Sequence, residues 1–357
     1  MKTIMIMAGG TGGHVFPALA VADVLTQRGV TVTWMGTAKG IEARLVPEAG
    51  YVLNLISVQG LRGNGLMGWL TAPFKLIKAV FEAMGALKKH QVDLVLGLGG
   101  FASGPGGVAA WLLRKPVVIH EQNAIPGLTN KLLAGIANSV LQGFSNSFKA
   151  STQAEWVGNP VRASIAALAE PKQKPDIEQG VNLLVLGGSL GAKSLNKTLP
   201  EAIALIGQSR NLNIRHQCGQ QHLDDCQGHY QQANVQAEVT AFIDDMAAAY
   251  DWADIVVCRA GALTIAEISA AGVASILVPY PYAVDDHQTH NASALLKVGA
   301  AILIDESELT AQGLADKITE LTANSEDLFT MAKAAKTLAK PEAAETIADI
   351  CMAVSYG

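Results

Sequence analysis

The chain has 357 residues, half of them hydrophobic, and its 26 Lys and Arg against 31 Asp and Glu give a net charge of −5. This length allows two domains, each with its own core, and the composition excludes a disordered chain. Aromatic residues make up only 5% of the chain. The abundant small and aliphatic residues favour parallel strands buried between helices over an antiparallel sandwich.

The charge is unevenly distributed along the chain. Residues 1–160 carry 13 basic and 7 acidic side chains, a net +6, whereas residues 161–357 carry 13 and 24, a net −11. The net positive charge of the first half indicates that this half binds an anionic surface or substrate. Nucleic acid is not expected as a partner, because the basic residues are dispersed and lack interleaved aromatic residues.

Cysteine spacing and apolar runs indicate a cytosolic protein. The four cysteines form no CxxC pair, which predicts reduced, buried thiols and no structural metal site. They are Cys218, Cys226, Cys258 and Cys351. The first ten residues predict a β-strand rather than a secretory signal, and glycines interrupt every long apolar run, so no transmembrane helix is expected.

Strand-then-helix units recur from the start of the chain. A short apolar run at 3–8 predicts the first strand, and a glycine turn leads into a helix from about residue 16 to 27. Further strands are predicted at 31–35, 92–96 and 117–120. Alternating units of this kind are typical of a doubly wound parallel sheet.

The same pattern restarts in the second half of the chain. Gly158, Asn159 and Pro160 predict a linker, after which a strand at 181–186 is followed by glycines and a helix at 193–206. Later strands are predicted at 214–217, 235–239, 255–258 and 275–278, and helical periodicity covers 307–338. The two similar openings predict two Rossmann-like domains. A last helix near 342–353, after Pro341, is expected to return to the first domain.

Three glycine-rich loops follow predicted strands, at 9–14, 97–107 and 187–192. A glycine turn that opens onto a helix exposes backbone N–H groups beside the positive end of the helix dipole, which favours phosphate. Tight βα turns built for packing are the alternative, but three such loops in one chain favour phosphate binding.

Two common phosphate motifs fit these loops poorly. The dinucleotide fingerprint fails at the first loop, because Val15 takes its last glycine position and the second predicted strand ends without an acidic residue. The third loop has Ala192 where a P-loop ends in glycine. The sequence therefore disfavours both NAD(P) and P-loop ATPase chemistry.

Residues 254–267 predict a nucleotide-binding turn. A strand ends at Cys258 and a helix begins near Ala262, so the amides of Leu263 and Thr264 would face a diphosphate. The carboxylate of Glu267 could accept hydrogen bonds from both ribose hydroxyls. The alternative is an acidic residue that merely stabilises the start of the helix.

Eight segments, in order along the whole chain, together resemble the MurG family of bacterial UDP-N-acetylglucosamine (UDP-GlcNAc) transferases. They are GGTGGH (9–14), LGLGGFASGPGG (96–107), HEQNAIPGLTNK (120–131), VGNPVR (157–162), GGSLGA (187–192), FIDDMAAAY (242–250), CRAGALTIAEI (258–268) and DDHQTHNA (285–292). Departures are small, since Ala260 and Ala266 stand where some members have Ser, and Phe101 where some have Tyr.

The resemblance implies an α/β protein of the GT-B type, with two Rossmann-like domains facing a cleft. Residues 1–160, with a C-terminal helix at about 341–357, would form the acceptor and membrane-docking domain, and 161–340 would bind UDP-GlcNAc. The implied reaction is inverting transfer of GlcNAc to the MurNAc 4-hydroxyl of undecaprenyl-pyrophosphoryl-MurNAc-pentapeptide (lipid I), which gives lipid II. The enzyme would act without a cofactor as a peripheral protein on the cytoplasmic face of the bacterial inner membrane. Peptidoglycan synthesis, cell shape and cell division would depend on it.

The resemblance also implies roles for single residues. The backbone of Ile243 would read the uracil, Glu267 would bind the ribose, and Gln288, with Asn291, would bind GlcNAc hydroxyls. The diphosphate region would be held by Ser189 and by Ala262, Leu263, Thr264, Ile265 and Ala266. The remaining positions expected around the donor are Thr11, Gly12, Gly13, Asn123 and Arg162.

An inverting transfer needs a base for the acceptor hydroxyl. His14 is the first candidate, since an unperturbed histidine with a pKa of ~6.5 suits proton transfer near neutrality; capping of the helix or phosphate binding is its alternative role. Glu121 is the second candidate, as base or as orienting partner of His14, and a purely structural carboxylate is its alternative. Helix-start amides near Leu263, and Arg259 or Arg162, would stabilise the departing UDP. The sequence has no DxD motif, so we expect no metal.

Residues 66–90 predict a membrane-docking helix. Phe74, Ile77, Phe81 and Met84 recur at helical spacing with Trp69 just ahead. An apolar stripe flanked by lysines can bind an anionic bilayer. The lysines concerned are Lys75, Lys78, Lys88 and Lys89. The alternative is an ordinary helix face packed on the core.

Two other functions remain open at the level of sequence. One is a UDP-GlcNAc 2-epimerase of the same fold, which would need neither an acceptor nor a lipid-binding surface. The other is a non-catalytic, membrane-associated module that binds a nucleotide sugar.

Overall fold

The computed structural model describes residues 2–58, 65–171, 179–188 and 191–356. Within them the chain forms two compact units, Met1–Arg162 with Lys340–Gly357, and Ala163–Ala339. Each unit contains one fully parallel sheet covered by helices, so the predicted class of doubly wound parallel sheets is confirmed.

The first unit has a seven-stranded sheet in the order β3-β2-β1-β4-β5-β6-β7. Its inner strands are almost entirely buried, as expected for parallel strands covered on both faces. The strands are β1 (Thr3–Ala8), β2 (Thr31–Gly36), β3 (Val52–Leu55), β4 (Leu94–Gly99), β5 (Val117–Glu121), β6 (Ser139–Gln142) and β7 (Glu155–Trp156).

The helices of the first unit include the last helix of the chain. Ile347, Ala348 and Cys351 of that helix share one buried core with Val15 and Leu25, because the chain returns to this sheet after the second unit. The helices are α1 (Gly12–Gln27), α2 (Glu42–Glu48), α3 (Gly65–Lys89), α4 (Ser103–Leu112), α5 (Leu128–Leu133) and α14 (Ala343–Tyr356).

The second unit has a six-stranded sheet in the order β10-β9-β8-β11-β12-β13. Its strands are β8 (Val181–Leu186), β9 (Leu212–Gln217), β10 (Glu238–Thr240), β11 (Ile255–Cys258), β12 (Ala274–Leu277) and β13 (Ala301–Leu303). Its helices are α6 (Ala163–Ala166), α7 (Lys193–Ile206), α8 (Leu223–Gln232), α9 (Met246–Trp252), α10 (Ala262–Ala271), α11 (His287–Lys297), α12 (Ala311–Leu321) and α13 (Ser325–Lys336).

Several predicted boundaries need correction. Helix α1 begins at Gly12 rather than near residue 16, and the strand predicted at 235–239 is instead β10, Glu238–Thr240. The helical stretch predicted at 307–338 is two helices, because α12 ends at Leu321 and Asn324 caps the start of α13 by accepting the N–H of Glu326 at 3.0 Å.

Candidate active site

The start of α10 offers free amides at the carboxyl edge of the second sheet. Strands β8 and β11 are neighbours from which the chain proceeds in opposite directions, so the loops after them border the crevice in which ligands of such sheets bind. Gly261 is the N-cap residue of α10 and has no side chain to cap it, and its carbonyl accepts the N–H of Ile265 at 2.9 Å. The preceding amides, from Ala262 to Thr264, have no partner within the helix and suit an anion.

Glu267 lies in the second turn of α10 and is largely buried. The hydroxyl of Tyr250, itself buried on α9, donates to Oε2 of Glu267 at 3.1 Å. This hydrogen bond fixes the orientation of the carboxylate that we expected to bind a ribose.

The glycine loop after β8 is held from β9 by one glutamine. The Oε1 atom of Gln217 accepts the N–H of Gly188 at 3.2 Å, and its Nε2 atom donates to the carbonyls of Gly188 at 3.0 Å and Ala241 at 3.2 Å. Gln217 therefore links this loop to the segment that carries Ile243. Ser189, predicted to hold the diphosphate, lies outside the described residues.

The sugar-binding candidates lie at the start of α11. Oε1 of Gln288 accepts the N–H of Tyr280 at 2.9 Å. Asn291 is buried, and its Nδ2 donates to the carbonyl of Ala260 at 3.2 Å, which ties α11 to the turn before α10. Arg259, a candidate for stabilising the leaving group, forms an ion pair with Glu306.

In the first unit, two glycine loops meet around His14. Gly99 and Gly100 both have positive φ, and a Cβ at Gly100 would lie 2.5 Å from the carbonyl oxygen of Gly9. A Cβ at Gly99 would lie 3.0 Å from the ring of His14, so the ring packs directly on this backbone. The ring Nδ1 of His14 lies 2.9 Å from Oε1 of Gln122.

The carboxylate of Glu121 is saturated by hydrogen bonds. Oε1 accepts from the backbone and side-chain nitrogens of Asn123 at 2.9 and 3.1 Å, and Oε2 accepts from the N–H of Gly127 at 3.0 Å and from Nδ2 of Asn130 at 2.9 Å. Glu121 therefore closes the loop between β5 and α5. The partner of His14 in this structure is Gln122.

Glu42 supports the first glycine loop and was not predicted from the sequence. Glu42 is fully buried, its Oε2 accepts the N–H of Gly10 at 2.8 Å, and its Oε1 accepts from the backbone N–H and hydroxyl of Thr37 at 2.9 and 2.8 Å. A Cβ at Gly9 or Gly40 would collide with the carboxylate, which explains the glycines around it.

The predicted site residues are divided between the units. Within the first unit, Thr11, Gly12, Gly13 and His14 lie together at the start of α1. Glu121 is the last residue of β5 and Asn123 follows that strand, and the guanidinium of Arg162 lies 4.9 Å from the ring centre of Phe16. The second unit contains Ile243, Glu267 and Gln288 with the segment Ala262, Leu263, Thr264, Ile265 and Ala266.

The stripe on α3 is exposed at Phe74, Ile77 and Phe81, so for these residues the alternative of a core-facing stripe is wrong. Met84, the last member of the stripe, is half-buried and packs against the core. Phe74 is 75% and Phe81 67% exposed, and Ile77 is exposed beside them, whereas α3 turns Ala79, Ala83 and Leu87 to the core. The side chain of Trp69 lies outside the described residues. In the part of the chain that the structure describes, we find no candidate for a membrane-spanning helix.

The helices that follow α3 in the chain also carry exposed apolar side chains. Trp111 and Leu112 on α4, which packs against α3, are exposed, as are Leu128 and Leu132 on α5. We call these residues together with Phe74, Ile77 and Phe81 the apolar face. Sequence reasoning missed the part on α4 and α5, because neither helix carries a recognisable stripe flanked by lysines.

Comparisons with known proteins cover the whole chain. Residues 4–142 match the glycosyltransferase family 28 N-terminal domain and residues 182–347 the C-terminal domain of the same family. A Nitrosococcus oceani protein is 53% identical over 99% of both chains, and a Cellvibrio japonicus protein is 53% identical over 100% of both. Both are named UDP-N-acetylglucosamine--N-acetylmuramyl-(pentapeptide) pyrophosphoryl-undecaprenol N-acetylglucosamine transferase. The crystal structure of Acinetobacter baumannii MurG is 44% identical, with a TM-score of 0.84 over 99% of this chain and 100% of the other.

Proposed function

The chain belongs to glycosyltransferase family 28, and from that premise we propose that it transfers GlcNAc from UDP-GlcNAc to the MurNAc 4-hydroxyl of lipid I, which gives lipid II. The GT-B fold implied by the motifs is confirmed. The alternative of an epimerase is wrong, because relatives with half of their residues identical over the full length carry the name of the transferase.

One structural observation supports the proposed binding of the donor, UDP-GlcNAc. The open amides of α10 and the Glu267 carboxylate oriented by Tyr250 lie on one helix at the crevice of the second sheet. The amides fit a diphosphate and the carboxylate a pair of ribose hydroxyls, as a uridine diphosphate requires. Gln288 and Asn291 follow on α11 and supply amide groups for the sugar hydroxyls.

The proposed chemistry is a single displacement with inversion. Nε2 of His14 accepts the proton of the MurNAc 4-hydroxyl as its oxygen attacks C1 of GlcNAc on the face opposite to the UDP. The bond between C1 and the UDP oxygen breaks, and the amides at the start of α10 stabilise the charge on the departing diphosphate. Glu121 positions the loop that carries Asn123, since its oxygens already accept four hydrogen bonds.

We propose that the apolar face brings the enzyme to its lipid-linked acceptor. The face lies in the unit with net positive charge, and Lys75, Lys78, Lys88 and Lys89 belong to the same helix as Phe74 and Phe81. Such a surface suits the headgroup region of an anionic bilayer, on the cytoplasmic face of the inner membrane. The product would serve peptidoglycan synthesis and thereby cell shape and division.

The deciding experiment is a transfer assay on the full-length protein with radiolabelled UDP-GlcNAc, with and without a lipid I analogue. We expect label in the lipid only when the acceptor is present, and loss of transfer in Glu267→Ala. Radiolabel recovered in a different nucleotide sugar, in the absence of an acceptor, would support an epimerase. Binding of UDP-GlcNAc without any product would support a non-catalytic module.

A further inference from the structure

A chain of hydrogen bonds runs from the backbone to the proposed base. His120 is fully buried, and its Nε2 lies 2.8 Å from the carbonyl oxygen of Gly158. A carbonyl can only accept, so Nε2 of His120 carries a hydrogen. Burial lowers the pKa of His120 to about 4, so its ring is neutral at pH 7 and its Nδ1 is an acceptor.

This state of His120 determines how the amide of Gln122 is oriented. The Nε2 of Gln122 lies 3.0 Å from Nδ1 of His120, and only a donor is favourable opposite that lone pair. The side chain is buried, and a flipped amide would place its oxygen against the unprotonated nitrogen. Oε1 of Gln122 must therefore face His14, whose Nδ1 is 2.9 Å away.

We propose that Gln122 is a positioning residue that holds His14 in the tautomer with the proton on Nδ1. A neutral imidazole can carry its proton on either nitrogen. An amide oxygen can accept a hydrogen bond only from the ring nitrogen that carries the proton. Nε2 of His14 then keeps the lone pair that accepts the proton of the acceptor hydroxyl. This inference rests on the proposed role of His14 as the base.

The direct test is ¹⁵N NMR of the imidazoles in full-length protein labelled at histidine, at about pH 8.5, where unperturbed histidines are neutral. The His14 signals are assigned by their loss in His14→Ala. We expect wild-type His14 to show a protonated Nδ1 and an unprotonated Nε2. Gln122→Met, which keeps the length of the side chain, should shift His14 towards the tautomer protonated on Nε2.

A matched control separates this effect from general destabilisation. Gln142 on β6 is also a buried glutamine, and its side chain makes hydrogen bonds to the carbonyl of Ala154 and the N–H of Phe148. Gln122 makes one more, because its Nε2 also donates to the carbonyl of His120 at 3.3 Å. Gln142→Met should lower stability to a similar degree and leave the tautomer of His14 and kcat unchanged. Gln122→Met should lower kcat about tenfold, equivalent to about 1.4 kcal/mol, with little change in KM for UDP-GlcNAc.

The outcomes separate this proposal from the one it rests on. A wild-type His14 protonated on Nε2, or an unchanged tautomer in Gln122→Met, overturns the role of Gln122. Should Gln122→Met fail to fold, the wild-type spectrum alone still decides the tautomer. Full activity in His14→Ala would instead overturn the role of His14 as base, whatever its tautomer.

Discussion

Replacing both Phe74 and Phe81 by Asp should release the protein from anionic membranes. The two rings are 75% and 67% exposed, which amounts to roughly 280 Å² if a fully exposed Phe offers about 200 Å². Complete burial of that area in the bilayer would contribute about 7 kcal/mol to the free energy of membrane binding, and burial of half of it about 3.5 kcal/mol. Each Asp also adds repulsion from anionic headgroups of about 1 kcal/mol. At half burial these effects together amount to about 5.5 kcal/mol, so vesicle binding should fall by about 10⁴-fold.

Cosedimentation with vesicles of mixed anionic and zwitterionic lipid measures this effect. Leu205→Asp on α7 is the matched control, because Leu205 is 56% exposed but belongs to the second unit. The double variant should keep its turnover on a soluble acceptor analogue. Unchanged vesicle binding, or an equal loss in Leu205→Asp, would refute the assignment of the apolar face.

Three further predictions concern the proposed base, a buried carboxylate and a buried histidine. His14→Ala should lower kcat about 10²-fold or more in steady-state assays, and a defect confined to KM would refute its role as base. Glu42→Gln should lower the free energy of unfolding of the first unit by about 2–4 kcal/mol in urea titrations, because the substitution weakens hydrogen bonds to a charged acceptor. The control Glu48→Gln, at an exposed position, should leave that free energy unchanged. Equal unfolding midpoints for the two variants would contradict the role of Glu42. Burial lowers the pKa of His216 to about 3, so the unfolded state binds the extra proton and stability should decline as the pH falls below about 6.5, by up to about 1.4 kcal/mol per pH unit. His216→Gln should reduce that slope in denaturation at stepped pH, and an unchanged slope would show that His216 does not cause it.

Elements with a strong local signal were predictable from the sequence. The strands β1, β8 and β11 have the predicted bounds, because each is an apolar run ended by a glycine or a turn. Strand β3 was missed, since Val52 and Leu55 are exposed at the sheet edge and show no alternation that would predict burial. An edge strand is specified by its pairing with a neighbouring strand. The local pattern of residues contains no information about that pairing.

The same limit applies to the site. The motifs located the loops and the start of α10, because glycine turns and helix starts are local features. The partner of His14 is Gln122, 108 positions away, and Glu42 reaches Gly10 across 32 positions. Contacts over such separations follow from the order of strands in the sheet. Gln122 lies within the segment 120–131, but a local motif does not show which of its side chains contacts His14.

The most direct test of the account is a crystal structure of the protein with UDP-GlcNAc. We predict the diphosphate at the first amides of α10, around Leu263 and Thr264, with both ribose hydroxyls within hydrogen-bond distance of the Glu267 carboxylate. A nucleotide bound elsewhere on the chain, with α10 unoccupied, would contradict it.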